Sequence, residues 1–165
     1  MKVPAGLRVG VCSHTGLVRG ANEDDYLVTT PPGDGPAAFV AAVADGMGGA
    51  AGGAEASRTA LRALGVGLVD GPGEQARDER MRAGFREAHA RVLESAAAVP
   101  ALRDMGTTMT ALWLGGGGGG VLGHIGDSRL YRLRRGEWEV LTTDHSVKGG
   151  REPSDALHRR GPCGV

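Results

Sequence analysis

Apolar residues in this chain change their period twice, and the order of those changes limits the folds open to it. Leu7 to Cys12 and Tyr26 to Thr29 read as short strands, and Ala37 to Ala44 is an unbroken apolar run suited to a strand buried on both faces. From Gly53 to about Leu64 the spacing becomes helical, with Ala56, Ala60, Leu61 and Leu64 on one stripe. A loop at Asp70-Gly71-Pro72-Gly73 separates this helix from a longer one over Glu74 to Ala97. There Met81, Phe85, Ala88, Val92 and Ala96 form the apolar stripe, and the Arg/Glu-rich remainder reads as a solvated face. Alternation then returns in Thr107 to Leu114, Val121 to Ile125, Arg129 to Leu133 and Glu137 to Thr142, with Arg135-Gly136 closing the last hairpin. A doubly wound parallel sheet needs helices between successive strands. The order strands, two helices, strands therefore predicts an α+β fold, with antiparallel sheets and both helices side by side on one of them.

Two segments stand outside this pattern. Gly115 to Gly120 is six glycines between two strands, more backbone freedom than a turn requires and costly to order, so a mobile loop is expected. From Lys148 to Val165 neither period is present. The expected division is one domain over residues 1–147 and an aberrant, disordered tail over 148–165.

The 165 residues suffice for a single domain with a core of useful size. Nineteen basic and nineteen acidic side chains cancel, leaving no global field to draw in nucleic acid or an anionic membrane. Cys12 and Cys163 lie near opposite ends, so no disulfide framework or CxxC metal site can be built. Neither a signal peptide nor a membrane-spanning run is legible, and a cytoplasmic protein is expected.

Chemistry concentrates in three short clusters, Arg19-Gly20-Ala21-Asn22-Glu23-Asp24, Asp45-Gly46-Met47-Gly48-Gly49 and Gly126-Asp127-Ser128-Arg129. Each sets carboxylates where a predicted strand meets a loop, with glycine beside them so that backbone carbonyls can face a cation. Oxygen donors with open coordination positions suit Mg²⁺ or Mn²⁺, which keep several waters. Arg19 adds a planar fork suited to a phosphoryl group. Taken alone, Asp45-Gly46 would be a turn closing a strand and Asp127 a turn aspartate; it is the recurrence of the pattern that favours a site. The five histidines show no HExxH or paired spacing, which argues against zinc. Gly118-x-Gly120-x-x-Gly123 matches a dinucleotide fingerprint in letters only, because a strand follows where a helix must begin.

With Thr15-Gly16-Leu17-Val18 ahead of the first cluster, Met105-Gly106-Thr107-Thr108 between the second and third, and Thr143-Asp144-His145-Ser146 after the third, the ordered set resembles the metal-dependent serine/threonine protein phosphatases of the PP2C (PPM) type, in their bacterial form. The resemblance implies a sandwich of two antiparallel β-sheets flanked by helices, incomplete in this chain, with the site at one end. It implies two Mn²⁺ or Mg²⁺ ions, with Asp45 bridging them, Gly46 giving its carbonyl, and Glu23 and Asp24 beside them directly or through water. Asp127 would help to hold a third, weaker ion. Arg19 would bind substrate phosphate, and Thr107 and Thr108 would form the floor. The reaction implied is hydrolysis of phosphoserine and phosphothreonine in proteins by metal-activated water, with phosphoproteins as partners, a serine/threonine kinase upstream and a part in signalling.

Relatives in eukaryotes place a histidine where this chain has Met47, which cannot donate a proton. Metal-bound water, His14, His124 and His145 remain as candidate acids. Members of the family also carry two further aspartates, in a Ser-Asp-Gly turn and an Asp-Asn pair, that this chain lacks. Two readings follow: a phosphatase, or a catalytically inactive binding module of the same fold, such as a truncated pseudogene product would be.

Overall fold

The computed structural model describes residues 6–35, 38–47, 50–70, 76–115, 119–145 and 157–160. β1 (Asp24–Thr29) and β2 (Phe39–Met47) lead into two long helices, α1 (Ala50–Asp70) and α2 (Arg77–Ala98). After a 3₁₀ turn at Pro100–Leu102 come β3 (Gly106–Thr107), β4 (Met109–Leu114), β5 (Gly120–Ile125), β6 (Tyr131–Arg134), β7 (Glu137–Val140) and β8 (Leu157–Arg160). The main sheet runs β1-β2-β4-β5-β8 with β3 paired to β2, and β6 and β7 form a separate two-stranded sheet. All pairings are antiparallel. The architecture is the α+β arrangement that the order of periods requires.

One face of the main sheet carries both helices. Val40, Ala42 and Ala44 of β2 and Met109, Ala111 and Trp113 of β4 meet Ala60, Leu64 and Leu68 of α1 and Met81 and Ala88 of α2, all buried. Burying each large side chain among these contributes about 1.5–3 kcal/mol, so this layer is the main source of stability. The helices approach closely because glycines line the crossing: a Cβ on Gly84 would come 2.8 Å from Leu64 Cδ1, and one on Gly67 3.5 Å from Gly84 Cα. Arg80 enters this core from the first turn of α2. Its guanidinium stacks over Trp113 at 4.9 Å and donates to the carbonyls of Leu68, in the last turn of α1, and Pro32. Its two terminal nitrogens are thus answered by carbonyls, one of them at a helix C-terminus where the macrodipole favours a cation, while Nε has no hydrogen-bond partner among the described residues.

Several expected boundaries move. Residues 7–12 form no strand, and Val11 is half exposed; an extended segment becomes a strand only when a neighbour supplies its ladder, and none among the described residues does. β2 is buried on one face only, Val43 being 50% exposed, and it continues through Asp45 and Gly46 to Met47 instead of ending before them. α1 starts earlier and runs six residues beyond Leu64, through Gly65-Val66-Gly67, because the fully buried Leu68 anchors the extra turns. The strand expected over Thr107 to Leu114 breaks at Thr108. Arg135 and Gly136 adopt φ of 53° and 84°, the two-residue turn that a tight hairpin requires. Positions 116–118 of the glycine run lie outside the described residues. In the stretch from Lys148, where no element is expected, Leu157–Arg160 pairs as a strand with β5; the other positions from Ser146 onward lie outside the described residues.

Candidate metal and phosphate site

Antiparallel pairing sets Asp24, the first residue of β1, directly opposite Asp45 of β2, so the two carboxyls share one face at one end of the sheet. Asp45 is held from the other side by two threonines. Thr108 Oγ1 accepts from the Asp45 amide at 3.0 Å, and Asp45's carbonyl accepts from the Thr108 amide at 2.9 Å and from Thr107 Oγ1 at 3.0 Å. Thr108 in turn contacts Ser128 Oγ at 2.8 Å, which fastens the turn carrying Asp127 to the same strand end. The break in the strand at Thr108 therefore has a positive use: it frees that residue to brace the acid.

Burial pushes the Asp45 carboxyl above its ordinary range, and Asp24 pushes it the same way by charge and by hydrogen bonding. Arg19 opposes this, and Asp127 adds a smaller upward push. The groups acting on Asp45 are thus three of those expected from the sequence. Glu23 is placed differently: its carboxylate lies against Gly53 in the first turn of α1, where a Cβ would come 2.5 Å from Oε2. Its carbonyl accepts from the Gly46 amide at 3.2 Å and from Ser57 Oγ at 2.7 Å. Gly46 is required by space, since a Cβ there would lie 2.1 Å from the Gly53 carbonyl oxygen.

A different polar group forms behind this end. Arg129 makes a two-pronged ion pair with Asp144, at 2.6 and 2.9 Å, which holds the Asp144 carboxyl below its usual range. His145 stacks near His124, ring centroids 5.0 Å apart, and His124 Nδ1 contacts Thr110 Oγ1 at 2.8 Å. Burial, with His145 adding to it, pushes His124 down, so it is neutral at pH 7. Of the candidate proton donors, His124 is only 3% exposed and His14 Nδ1 accepts from the Gly16 amide. The bracing roles of Ser57 and Gly53, both in α1, carry no motif of their own, and Ser128 was visible only as a member of the Gly126-Asp127-Ser128-Arg129 cluster.

Among the described residues no three His, Cys, Asp or Glu side chains gather closely enough to enclose an ion. The donor set fits a hard divalent cation all the same: two carboxyls close enough to repel, with the Gly46 backbone alongside, leave most of the coordination shell to water, as Mg²⁺ and Mn²⁺ accept.

Residues 14–152 match the family model described as protein phosphatase 2C. The chain belongs to the protein phosphatase 2C family. Its relatives include the serine/threonine protein phosphatase PstP of Mycobacterium tuberculosis, 37% identical over 143 residues, which are 87% of this chain and 26% of PstP. The protein phosphatase PhpP of Streptococcus pneumoniae is 36% identical over 106 residues, 64% of this chain and 43% of PhpP. A crystal structure of the PstP catalytic domain in complex with two manganese ions superposes with a TM-score of 0.70 at 36% identity, covering 83% of this chain and 55% of that one. The PPM phosphatase MsPP of Mycobacterium smegmatis, crystallised with cacodylate, gives a TM-score of 0.68 at 38% identity, covering 84% of this chain and 53% of that one. The chain therefore spans about a quarter of PstP and little more than half of these catalytic domains. At 23% identity, Stp1 of Staphylococcus aureus, with a TM-score of 0.74, shares the PP2C fold.

Proposed function

We propose that residues 1–147 supply the Asp45 end of a metal-dependent phosphoserine/phosphothreonine phosphatase site, and that 148–165 take no part in it. The Asp24–Asp45 carboxyl pair with Arg19 in electrostatic reach carries this reading, because like charges held together by a rigid register ask for a cation. Asp45 and Asp24, with the Gly46 carbonyl, would hold Mn²⁺ or Mg²⁺, and Asp127 would hold a further, weaker ion. Bound there, such ions would supply a water of lowered pKa and neutralise charge on the phosphoryl oxygens.

The remaining work falls to the chain. Thr107 and Thr108 fix both the amide and the carbonyl of Asp45, so its carboxyl needs little reorganisation. Arg19 places a two-pronged donor for the phosphoryl group and pulls the Asp45 carboxyl towards ionisation. Glu23, turned to α1, acts through its carbonyl by tying Gly46 to Ser57. None of His14, His124 and His145 is hydrogen-bonded to Asp24, Asp45 or Asp127, and the burial of His124 also favours water as the proton donor to the leaving alkoxide.

The substrates are phosphoproteins, which places the site downstream of a serine/threonine kinase in a signalling exchange. The described residues contain no helix long and apolar enough to cross a membrane, consistent with action in the cytoplasm. The test is Mn²⁺-dependent phosphate release from a phosphothreonine peptide, wild type against Asp45→Ala. Slow turnover that the substitution removes supports the reading, and turnover indifferent to both Mn²⁺ and Asp45 defeats it.

A further inference from the structure

A cavity of about 650 Å³ opens between the outer turns of α2 and the ends of β3, β4 and β5, a size within the range of about 300–1,000 Å³ typical of small-molecule sites. Its body is apolar, formed by Phe85, Val92, Leu93, Met105, Met109 and Ile125. The charged side chains that line it are Arg82 and Arg86 on α2; His89 stands beside them, His124 and His145 face from the β5 side, and no Asp or Glu lines it among the described residues.

Three facts make this more than a dent in the surface. Arg82 and Arg86 are one helical turn apart, a like-charge pair that is unfavourable unless an anion answers it, and neither makes an ion pair among the described residues. His124 is 3% exposed, yet its Nε2 has no hydrogen-bond partner of ordinary geometry, although the backbone at Thr143 and Gly126 lies near. Leu93, a large apolar side chain on the same helix face, remains 55% exposed at the rim. An apolar chamber edged by two arginines that make no ion pair, and by no carboxylate among the described residues, is complementary to one chemical class.

We propose that this cavity binds a small amphiphilic anion, a medium-chain or aromatic carboxylate, with its tail against Phe85, Val92 and Met109 and its head on Arg82 and Arg86. Each methylene buried in the chamber tightens binding by about three- to fourfold, so a chain of modest length suffices for measurable binding. The site is distinct from the Asp24–Asp45 pair. Its wall is continuous with that pair nonetheless, for Met47 and Gly106 line it and are themselves paired across β2 and β3, next to the Gly46–Thr107 pair beside Asp45. The proposal does not depend on phosphatase activity.

The probes are laurate below its micelle concentration, dodecanol and dodecyltrimethylammonium, titrated into the full chain by calorimetry. Methionine methyl resonances provide the position, because Met47, Met105 and Met109 line the cavity. Laurate is expected to saturate at one equivalent, to bind at least about tenfold more tightly than dodecyltrimethylammonium, and to move those three resonances. Arg82→Glu with Arg86→Glu should weaken laurate by about tenfold or more and leave dodecanol unchanged; should that pair fail to fold, Arg82→Gln with Arg86→Gln keeps the helix and is expected to weaken laurate in the same direction. Equal affinity for the three head groups, or cavity methionines that do not respond, would overturn the site. Co-sedimentation with phosphatidylglycerol vesicles in place of saturable laurate binding would assign these arginines to a membrane surface and overturn it equally.

Discussion

Asp45 concentrates the conflict between folding and chemistry in one side chain. Its carboxyl titrates above the unfolded value of about 3.8, so protonation favours the folded state. The stability this contributes is fully present below the unfolded pKa and is lost as pH rises through the raised folded value. At pH 7 the ionised group is a net cost, which Asp45→Asn removes. Without metal that variant is expected to melt slightly higher than wild type at pH 7, by less than about 1 kcal/mol because the group is partly solvated, with the difference vanishing near pH 3. Mn²⁺ should raise the melting temperature of wild type and leave Asp45→Asn unmoved. Calorimetric scans across pH, with and without Mn²⁺, check both halves; a variant that melts lower at pH 7 would show that Asp45 is held for structure alone. Asp144 runs in the opposite sense. Its depressed pKa, caused by Arg129, contributes stability above the unfolded value that is lost as pH falls through the folded one.

Elements and their seams were unequally legible. Long stripes such as Met81, Ala88, Val92 and Ala96 predict α2 almost to its ends, because a helix 22 residues long repeats its signal several times. The last turns of α1 were missed, since Gly65 and Gly67 look like breakers until Leu68 is seen fully buried in the core and Gly67 close against Gly84. The acids were read from local motifs and Thr107 and Thr108 were placed as the floor through the family resemblance, but the contacts themselves were not legible: Thr108 to Asp45 and Ser128, and Ser57 to Glu23, act across 20 to 63 positions of sequence separation, which no spacing rule reaches. Glu23 shows the other limit, as its neighbour's register decides that its carboxylate faces α1. Arg80 was read as part of a solvated face because its burial depends on a helix end elsewhere. Arg80→Leu should cost about 2–4 kcal/mol through lost packing on Trp113 and unsatisfied carbonyls at Leu68 and Pro32. Hydrogen exchange should localise the loss to the last turn of α1. A uniform loss of protection across the sheet would contradict that assignment.

Across the whole molecule, apolar surface is shared out unevenly. The helix-bearing face of the main sheet is covered except at the cavity beside α2, whereas Tyr131, Leu133, Trp138 and Val140 lie on one face of the β6–β7 ribbon and are all about half or more exposed. The two tryptophans therefore report on opposite conditions, Trp113 being fully buried and Trp138 70% exposed. Acrylamide should quench the Trp138 component readily and the Trp113 component little, and Trp138→Phe should leave a blue-shifted, protected emission. Because Trp138 packs only edge-on against Tyr131, that substitution should change the urea midpoint by less than about 0.5 kcal/mol in equivalent stability. Similar quenching of both indoles would mean that the sheet and helices do not close over Trp113.

The contact between Gly46 and Gly53 also governs how such a sequence can drift. At Gly46 the obstacles to any side chain are backbone atoms of Gly53 and Glu23, so no replacement elsewhere can make room; at Gly53 the nearest obstacle is the tip of Glu23, which a shorter residue would withdraw, leaving the Gly46 backbone at 3.0 Å as a tight contact. In a library randomised at positions 23, 46 and 53, folded survivors should keep glycine at 46 whatever surrounds it, and accept alanine at 53 chiefly beside a small residue at 23. One of these two neighbouring glycines is thus fixed by backbone contact, and the other is limited first by a single side chain.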